Sequence, residues 1–170
     1  MDLKQHIRNV PDFPKAGILF YDITTLLRDP IGFRTTIERL ALPFKDKGIE
    51  AVVGIESRGF ILGGAVAQEL GAGFVPVRKP GKLPAKAIRQ TYSLEYGQDA
   101  LEIHEDAIEK GQKILVVDDV LATGGTAAAA AQLVRTLGAD LQGMAFLIEL
   151  LFLDGKSKLA GEQVFSVLQY

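Results

Sequence analysis

The chain contains no cysteine, which excludes both a disulfide framework and a thiolate metal site. Histidine is nearly as scarce. His6 and His104 are the only two, and they cannot form a His-rich metal site by themselves. A metal here would be a hard cation held by oxygens, with magnesium the obvious candidate. No stretch reaches about 18 uninterrupted apolar residues, so no transmembrane helix and no membrane role are expected. The charges of Met1-Asp2-Leu3-Lys4 are not followed by an apolar run. No signal peptide is therefore expected, and a cytoplasmic protein is the simplest reading. An excess of one charge is missing too. The formal net charge is -2, so no global positive field suggests a nucleic-acid partner, although a local basic patch is not excluded.

What is present is an ordinary globular composition. Hydrophobic residues make up 48% and charged residues 24% of 170 residues, enough for one domain with a substantial core and too short to expect two. Residues 2–10 read as a short amphipathic helix with Leu3, Ile7 and Val10 on one side, after which Pro11 and Pro14 force an extended or turning segment. Asp29-Pro30 favours a helix start, and Phe33, Ile37, Leu40 and Phe44 suit an amphipathic helix over 31–47 that Pro43 bends or ends. Buried strands are expected at Ala51–Ile55 and Gly73–Val77, with a helix over 60–70 between them. The segments 87–92 and 99–103 alternate loosely and could pair as a hairpin. The clearest buried strand is 113–118. A strong alanine-rich helix follows at 126–137, then strands at 141–150 and 164–168. Strands alternating with helices imply an α/β fold: a three-layer sandwich around a mostly parallel central sheet.

The informative stretch is Val116-Val117-Asp118-Asp119-Val120-Leu121-Ala122-Thr123-Gly124-Gly125-Thr126. Open α/β sheets bind ligands outside the carboxyl ends of their strands. Here the strand is expected to end at Asp118, directly before a glycine loop. Glycine permits the backbone conformations that turn successive N–H groups toward one point, and a helix starting near Thr126 adds its free N–H groups and dipole. With the hydroxyls of Thr123 and Thr126 this makes an anion site of phosphate size. No Lys follows the glycines, so it is not a Walker loop, and the Gly-x-Gly-x-x-Gly spacing is absent. Carboxylates repel phosphate. Asp118 and Asp119 should therefore hold another part of the same ligand, and sugar hydroxyls are good donors to them. The string fits a ribose 5-phosphate. Both carboxylates can serve only if the chain is already turning at Asp119, because successive strand side chains point to opposite faces.

This string resembles the phosphoribosyl diphosphate motif of the type I phosphoribosyltransferases. Other segments are similar to the adenine-specific branch of that family and occur in the same order: Phe13-Pro14-Lys15-Ala16-Gly17-Ile18-Leu19-Phe20-Tyr21-Asp22-Ile23-Thr24, Glu56-Ser57-Arg58-Gly59-Phe60, Arg78-Lys79-Pro80-Gly81-Lys82-Leu83-Pro84 and Tyr92-Ser93-Leu94-Glu95-Tyr96-Gly97. The resemblance runs nearly from Val10 to Tyr170. It implies the reaction adenine plus 5-phosphoribosyl 1-diphosphate giving AMP plus diphosphate, with magnesium, in purine salvage, and a cytoplasmic homodimer. It implies one domain over 1–170, with an N-terminal base-binding hood at 1–30 and a mobile hairpin lid within 79–103.

Roles carried over by resemblance are these. Ala122, Thr123, Gly124, Gly125 and Thr126 anchor the 5-phosphate, and Asp118 and Asp119 fix the ribose hydroxyls. Ser57, Arg58, Lys79 and Lys82 meet the diphosphate. Magnesium sits on the diphosphate and ribose hydroxyls, with no protein ligand certain. Leu19, Phe20 and Tyr21 lie in the base-binding segment. Phe20 stacks on adenine, with Val120 on its other face. Glu95 handles a proton near the base, and Tyr96 beside it closes over the sugar. Tyr21 stands where many members carry Arg, which keeps a donor and loses a fixed charge. Members acting on 6-oxopurines use a lysine downstream of the phosphate loop, and residues 141–155 contain none. A transferase for another purine base, or a non-catalytic sensor of phosphoribosyl diphosphate on the same fold, are the alternatives.

Overall fold

A computed structural model describes residues 1–94 and 96–170; the candidate catalytic residue Glu95 lies outside the described residues. A five-stranded, wholly parallel sheet forms the centre, built from β3 (Ala51–Ile55), β4 (Gly73–Val77), β7 (Lys113–Leu121), β8 (Asp140–Glu149) and β9 (Val164–Gln169) in the order β4-β3-β7-β8-β9. Two antiparallel pairs stand apart from it: β1 (Arg8–Pro11) with β2 (Leu19–Asp22), and β5 (Ala87–Ser93) with β6 (Gln98–His104). Four α-helices complete the described chain: α1 (Thr24–Leu27), α2 (Pro30–Ala41), α3 (Arg58–Leu70) and α4 (Gly125–Thr136).

The sheet is buried on both faces, as its near-continuous apolar strands require. On β7, Ile114 and Val116 join the core beneath α4, while Leu115 and Val117 join the core shared with α2 and α3. All four are fully buried. α4 presents alanines to the first of these cores, so it lies close to the sheet. α2 starts where its sequence dictates. Asp29 accepts the N–H groups of Ile31 and Gly32 at 2.9 Å each, Pro30 occupies the first turn, and Pro43 turns the end into a short 3-10 segment, Leu42–Phe44.

The strand order places the ligand edge. From β3 the chain moves outward to β4, then returns to the other side of β3 with β7 and continues outward to β8 and β9. The order reverses between β3 and β7, and ligands bind in the crevice beyond such a reversal. The segments that follow β3 and β7, Glu56-Ser57 and Ala122–Gly124, both emerge there.

Two expectations change in detail. Residues 2–10 do not form one helix. A 3-10 turn covers Leu3–His6, and β1 then pairs with β2. The apolar spacing misled because Leu3 and Ile7 join the core shared with α2 without a helix between them, while the ladder to β2 gives residues 8–11 their backbone partners. The β5–β6 hairpin does form, but Leu101 and Ile103 are fully buried in the α4-side core. Strand β6 is thus part of the body, whereas Leu94 and Tyr96 are exposed.

The β1–β2 hairpin is tied by Asp22, which accepts the hydroxyl and N–H of Thr24 and the guanidinium of Arg8. These bonds, the Thr24 pair foremost, hold its carboxyl down to about 2. An acid lowered on folding stabilises above its unfolded value and loses that contribution as pH falls toward the folded one. D22N should therefore flatten the loss of stability between about pH 4 and about pH 2, read by denaturant unfolding across that range. A profile identical to the wild type would remove Asp22 from the acid response.

Candidate active site

The glycine turn and helix start of the expected cradle form where the sequence places them, with one correction. β7 does not stop at Asp118. Val120 and Leu121 still pair with Ile148 and Glu149 of β8, so the loop proper is Ala122–Gly124 and α4 begins at Gly125. A small cavity of about 80 Å³ is lined by Asp118, Val120, Thr123, Gly124 and Thr126, among others. The first N–H groups of a helix have no intrahelical acceptor, and those of α4 start at this cavity. Gly124 adopts φ 86°, and a Cβ there would meet the carbonyl oxygen of Gly155 at 2.3 Å. Gly155 is equally confined: its Cβ would lie 2.3 Å from the Ala122 carbonyl oxygen and 3.0 Å from the Gly124 nitrogen. Backbone meets backbone, and the segment after β8 sets the shape of the cradle. Sequence reading missed Gly155; its only signal is the Asp154-Gly155 turn dipeptide.

The two aspartates come together without a turn in the strand. Asp118 Oδ1 accepts the Asp119 N–H at 2.8 Å, which folds its carboxyl back along the chain. Burial, and then the charge of Asp119, push the Asp118 carboxyl well above its usual range. Asp119 is itself buried and ion-paired with Arg58. Room for this pair depends on Gly59, where a Cβ would stand 2.7 Å from Asp118 Oδ1. The glycine of Ser57-Arg58-Gly59 is thus what lets α3 start against a carboxylate.

Arg58 links this pair to an apolar cavity. Its guanidinium also lies 5.3 Å from the centroid of the Phe20 ring, within cation–π range. With Val10, Phe13 and Asp22 these two side chains line a cavity of about 330 Å³. Phe13 meets Phe20 edge to face at 5.1 Å. The other expected base-binding residues are placed differently. Tyr21 packs on Tyr170, centroids 4.1 Å apart, because alternate residues of β2 face opposite ways. Leu19 is exposed. Val120 borders the small cavity and does not line the apolar one. Tyr96 is 84% exposed.

Glu56, at the end of β3, holds the segment that follows β4. Its carboxylate accepts the Lys79 N–H at 2.8 Å and Arg78 Nη2 at 3.1 Å, and these bonds, the Lys79 N–H foremost, lower its pKa. The Glu56–Ser57 peptide is cis. Lys79 Nζ is bound to the Asp99 carboxylate and to the Tyr92 hydroxyl. Lys82 is exposed. The sequence reading gives Arg78, Tyr92 and Asp99 no role: Arg78 acquires its place through Glu56, and Tyr92 and Asp99 theirs only when the hairpin brings them to Lys79. Among the described residues, no three His, Cys, Asp or Glu side chains converge as a metal cage. Asp118 and Asp119 are the carboxylates at the cradle, a donor set that fits a cation held mainly through ligand oxygens.

Comparison with known proteins gives a consistent answer. The phosphoribosyl transferase domain family matches residues 34–161. The adenine phosphoribosyltransferase of Solibacter usitatus is 60% identical over 169 residues, 99% of this chain and 98% of that protein. That of Acaryochloris marina is 57% identical over the whole of both chains. Among solved structures, the adenine phosphoribosyltransferase of Rhodothermus marinus superposes with a TM-score of 0.95 at 56% identity, covering 99% of this chain and 96% of that one. The Saccharomyces cerevisiae enzyme, complexed with an imino-altritol bisphosphate and adenine, gives 0.93 at 44% identity, covering 98% and 96%.

Two stability outcomes follow from the geometry. A carboxyl raised on folding costs stability once pH exceeds its unfolded value. D118N removes the charge and keeps an oxygen for the Asp119 N–H. It should raise Tm at pH 7 by about 2–4 °C, the shift that about 1 kcal/mol makes in a chain of this size. The gain should vanish below about pH 4, and a lower Tm at pH 7 would contradict the assignment. G155A should destabilise by about 1–3 kcal/mol in urea unfolding, as overpacking does. G64A, where a Cβ meets nothing within 4 Å, should be neutral or stabilising. Equal effects of the two would remove the special role of the Gly155 contact.

Proposed function

The chain belongs to the phosphoribosyl transferase domain family and, within it, to the adenine phosphoribosyltransferases, and from that premise we propose how its residues carry out the reaction. The reaction joins adenine to the phosphoribosyl group of 5-phosphoribosyl 1-diphosphate and releases diphosphate. A bond forms between a ring nitrogen of adenine and the anomeric carbon of the sugar, and the bond from that carbon to the diphosphate oxygen breaks. One observation carries the residue assignment: Arg58 touches both the Asp119 carboxylate and the Phe20 ring. The sugar site and the apolar cavity are therefore neighbours across a single side chain.

In this reading the cradle at Ala122, Thr123, Gly124, Gly125 and Thr126 holds the 5-phosphate with helix N–H groups and hydroxyls. Asp118 and Asp119 accept the ribose hydroxyls. Arg58, with the Ser57 backbone, Lys79 and Lys82, receives the diphosphate. Adenine lies on Phe20 in the apolar cavity, its amino edge met by backbone groups near Leu19. Val120, at the edge of the cradle, is assigned the face of the base opposite Phe20, as the resemblance implies. Tyr21 acts by holding β2 against Tyr170, so its difference from the arginine of many members leaves the base cavity unchanged. Magnesium, held by the diphosphate and ribose hydroxyls beside the two aspartates, would supply charge neutralisation for the leaving group. Glu95 is assigned the proton of the attacking base, help of about 10²–10⁴-fold. Residues 1–30 serve as the hood. Of the lid at 79–103, Tyr96 is proposed to close over the reactive sugar and exclude water from it. The family resemblance supports a homodimer in the cytoplasm. Among the described residues no helix is long and apolar enough to cross a membrane.

The absence of lysine from residues 141–155 favours adenine over a 6-oxopurine, whose exocyclic oxygen would lack a donor. Steady-state nucleotide formation with adenine and with hypoxanthine tests this; comparable use of both would overturn the selectivity. F20A should raise KM for adenine by about tenfold or more, as loss of a base-stacking ring does, and leave KM for 5-phosphoribosyl 1-diphosphate near the wild-type value. An unchanged adenine KM would move the base elsewhere.

A further inference from the structure

Lys79 is fixed at one end and tethered at the other. Its N–H is bound to Glu56 Oε2 at 2.8 Å, so its backbone cannot leave the segment that follows β4. Its ammonium reaches across to the hairpin. There it is bound to the Asp99 carboxylate, and to the Tyr92 hydroxyl at 3.0 Å. Tyr92 donates in turn to Asp99 Oδ2 at 3.2 Å. The other Asp99 oxygen accepts the Ala100 N–H at 2.8 Å, so the carboxylate is held in place by its own strand. The Tyr92 ring rests against Gly125, where an added Cβ would stand 3.2 Å from Tyr92 Cδ2. The triad therefore adjoins the first residue of α4 and the phosphate cradle.

Resting on the reading of Lys79 as a diphosphate ligand, we propose that Asp99 is a positioning residue that holds the Lys79 ammonium in the substrate-free protein and releases it to the incoming diphosphate. The Lys79 side chain is 40% exposed and that of Asp99 33%. An ion pair this exposed is weak, and a diphosphate carrying several charges outcompetes one carboxylate for the same cation. A lysine suits the exchange, because its charge is compact and rides on a flexible four-carbon stem. With the backbone pinned by Glu56, only the stem swings. Tyr92 keeps a hydroxyl near the ammonium and gives Asp99 a donor when the lysine leaves. The tether also opposes substrate binding, since the pair must break before Lys79 serves.

The test compares D99N, K79M and the double variant. Asparagine keeps the oxygen that accepts the Ala100 N–H and removes the competing charge. D99N should lower KM for 5-phosphoribosyl 1-diphosphate by about two- to fivefold, the range an exposed pair of this kind supports. The change should fall in that KM rather than in kcat, with KM for adenine unmoved. Calorimetric titration with 5-phosphoribosyl 1-diphosphate should show the same tightening, and D99S, which removes the same charge with a smaller side chain, should reproduce it. In the K79M background D99N should have no further effect. A KM unchanged or raised by D99N and D99S, alongside a raised KM in K79M, would overturn the tether. So would a D99N effect that persists without Lys79. If K79M alone leaves that KM unchanged, the diphosphate role of Lys79 falls, and this inference falls with it.

Discussion

The parallel pairing of β3 with β7, Ala51 beside Ile114 through Gly54 beside Val117, sets the position of everything in the site. Neighbouring parallel strands deliver their carboxyl ends to the same edge, and here the chain departs from that edge in opposite directions. After β3 it enters α3 on one face; after β7 it enters α4 on the other. The two helix starts therefore flank one crevice. One brings Ser57 and Arg58, and the other the cradle. No local feature of either segment could achieve this alone, because residues 57 and 124 meet only through the sheet.

The crevice collects like charges that folding alone would not choose. Asp118 and Asp119 are adjacent, mostly withdrawn from water, and close enough to raise the Asp118 carboxyl. Arg58 offsets part of this cost through its bond to Asp119. Around them the packing leaves no slack: Gly59 must lack a side chain for Asp118, and Gly124 and Gly155 must lack one for each other. Electrostatic strain and backbone contact concentrate where the proposed reading seats a charged, hydroxylated substrate. The body of the protein, by contrast, is two apolar cores with few buried charges.

In the proposed reading, residues outside the motif turn that crevice into a selective site. The β1–β2 hairpin carries Phe20 to Arg58, and alternation along β2 sends its neighbour Tyr21 to the opposite side against Tyr170. The β5–β6 hairpin, anchored in the α4-side core, brings Tyr92 and Asp99 to Lys79. Each hairpin is local in sequence and acts at a distance, since its placement depends on the core it docks against.

From sequence alone the fold class, the helix and strand alternation, the hairpin and the cradle were legible. Each rests on periodicity, glycine and proline placement, or charge within a few residues. The resemblance of whole segments added the reaction and the base. What the sequence missed has a common cause. The strand character of residues 8–11, the extension of β7 through Leu121, the turning away of Tyr21, and the roles of Gly155, Tyr92 and Asp99 all depend on partners at least seven residues away in the chain, most of them much farther. Local pattern records which face a residue prefers. Only the tertiary structure decides what stands opposite that face, because docking a hairpin or pairing a strand creates contacts that no window of neighbouring residues contains.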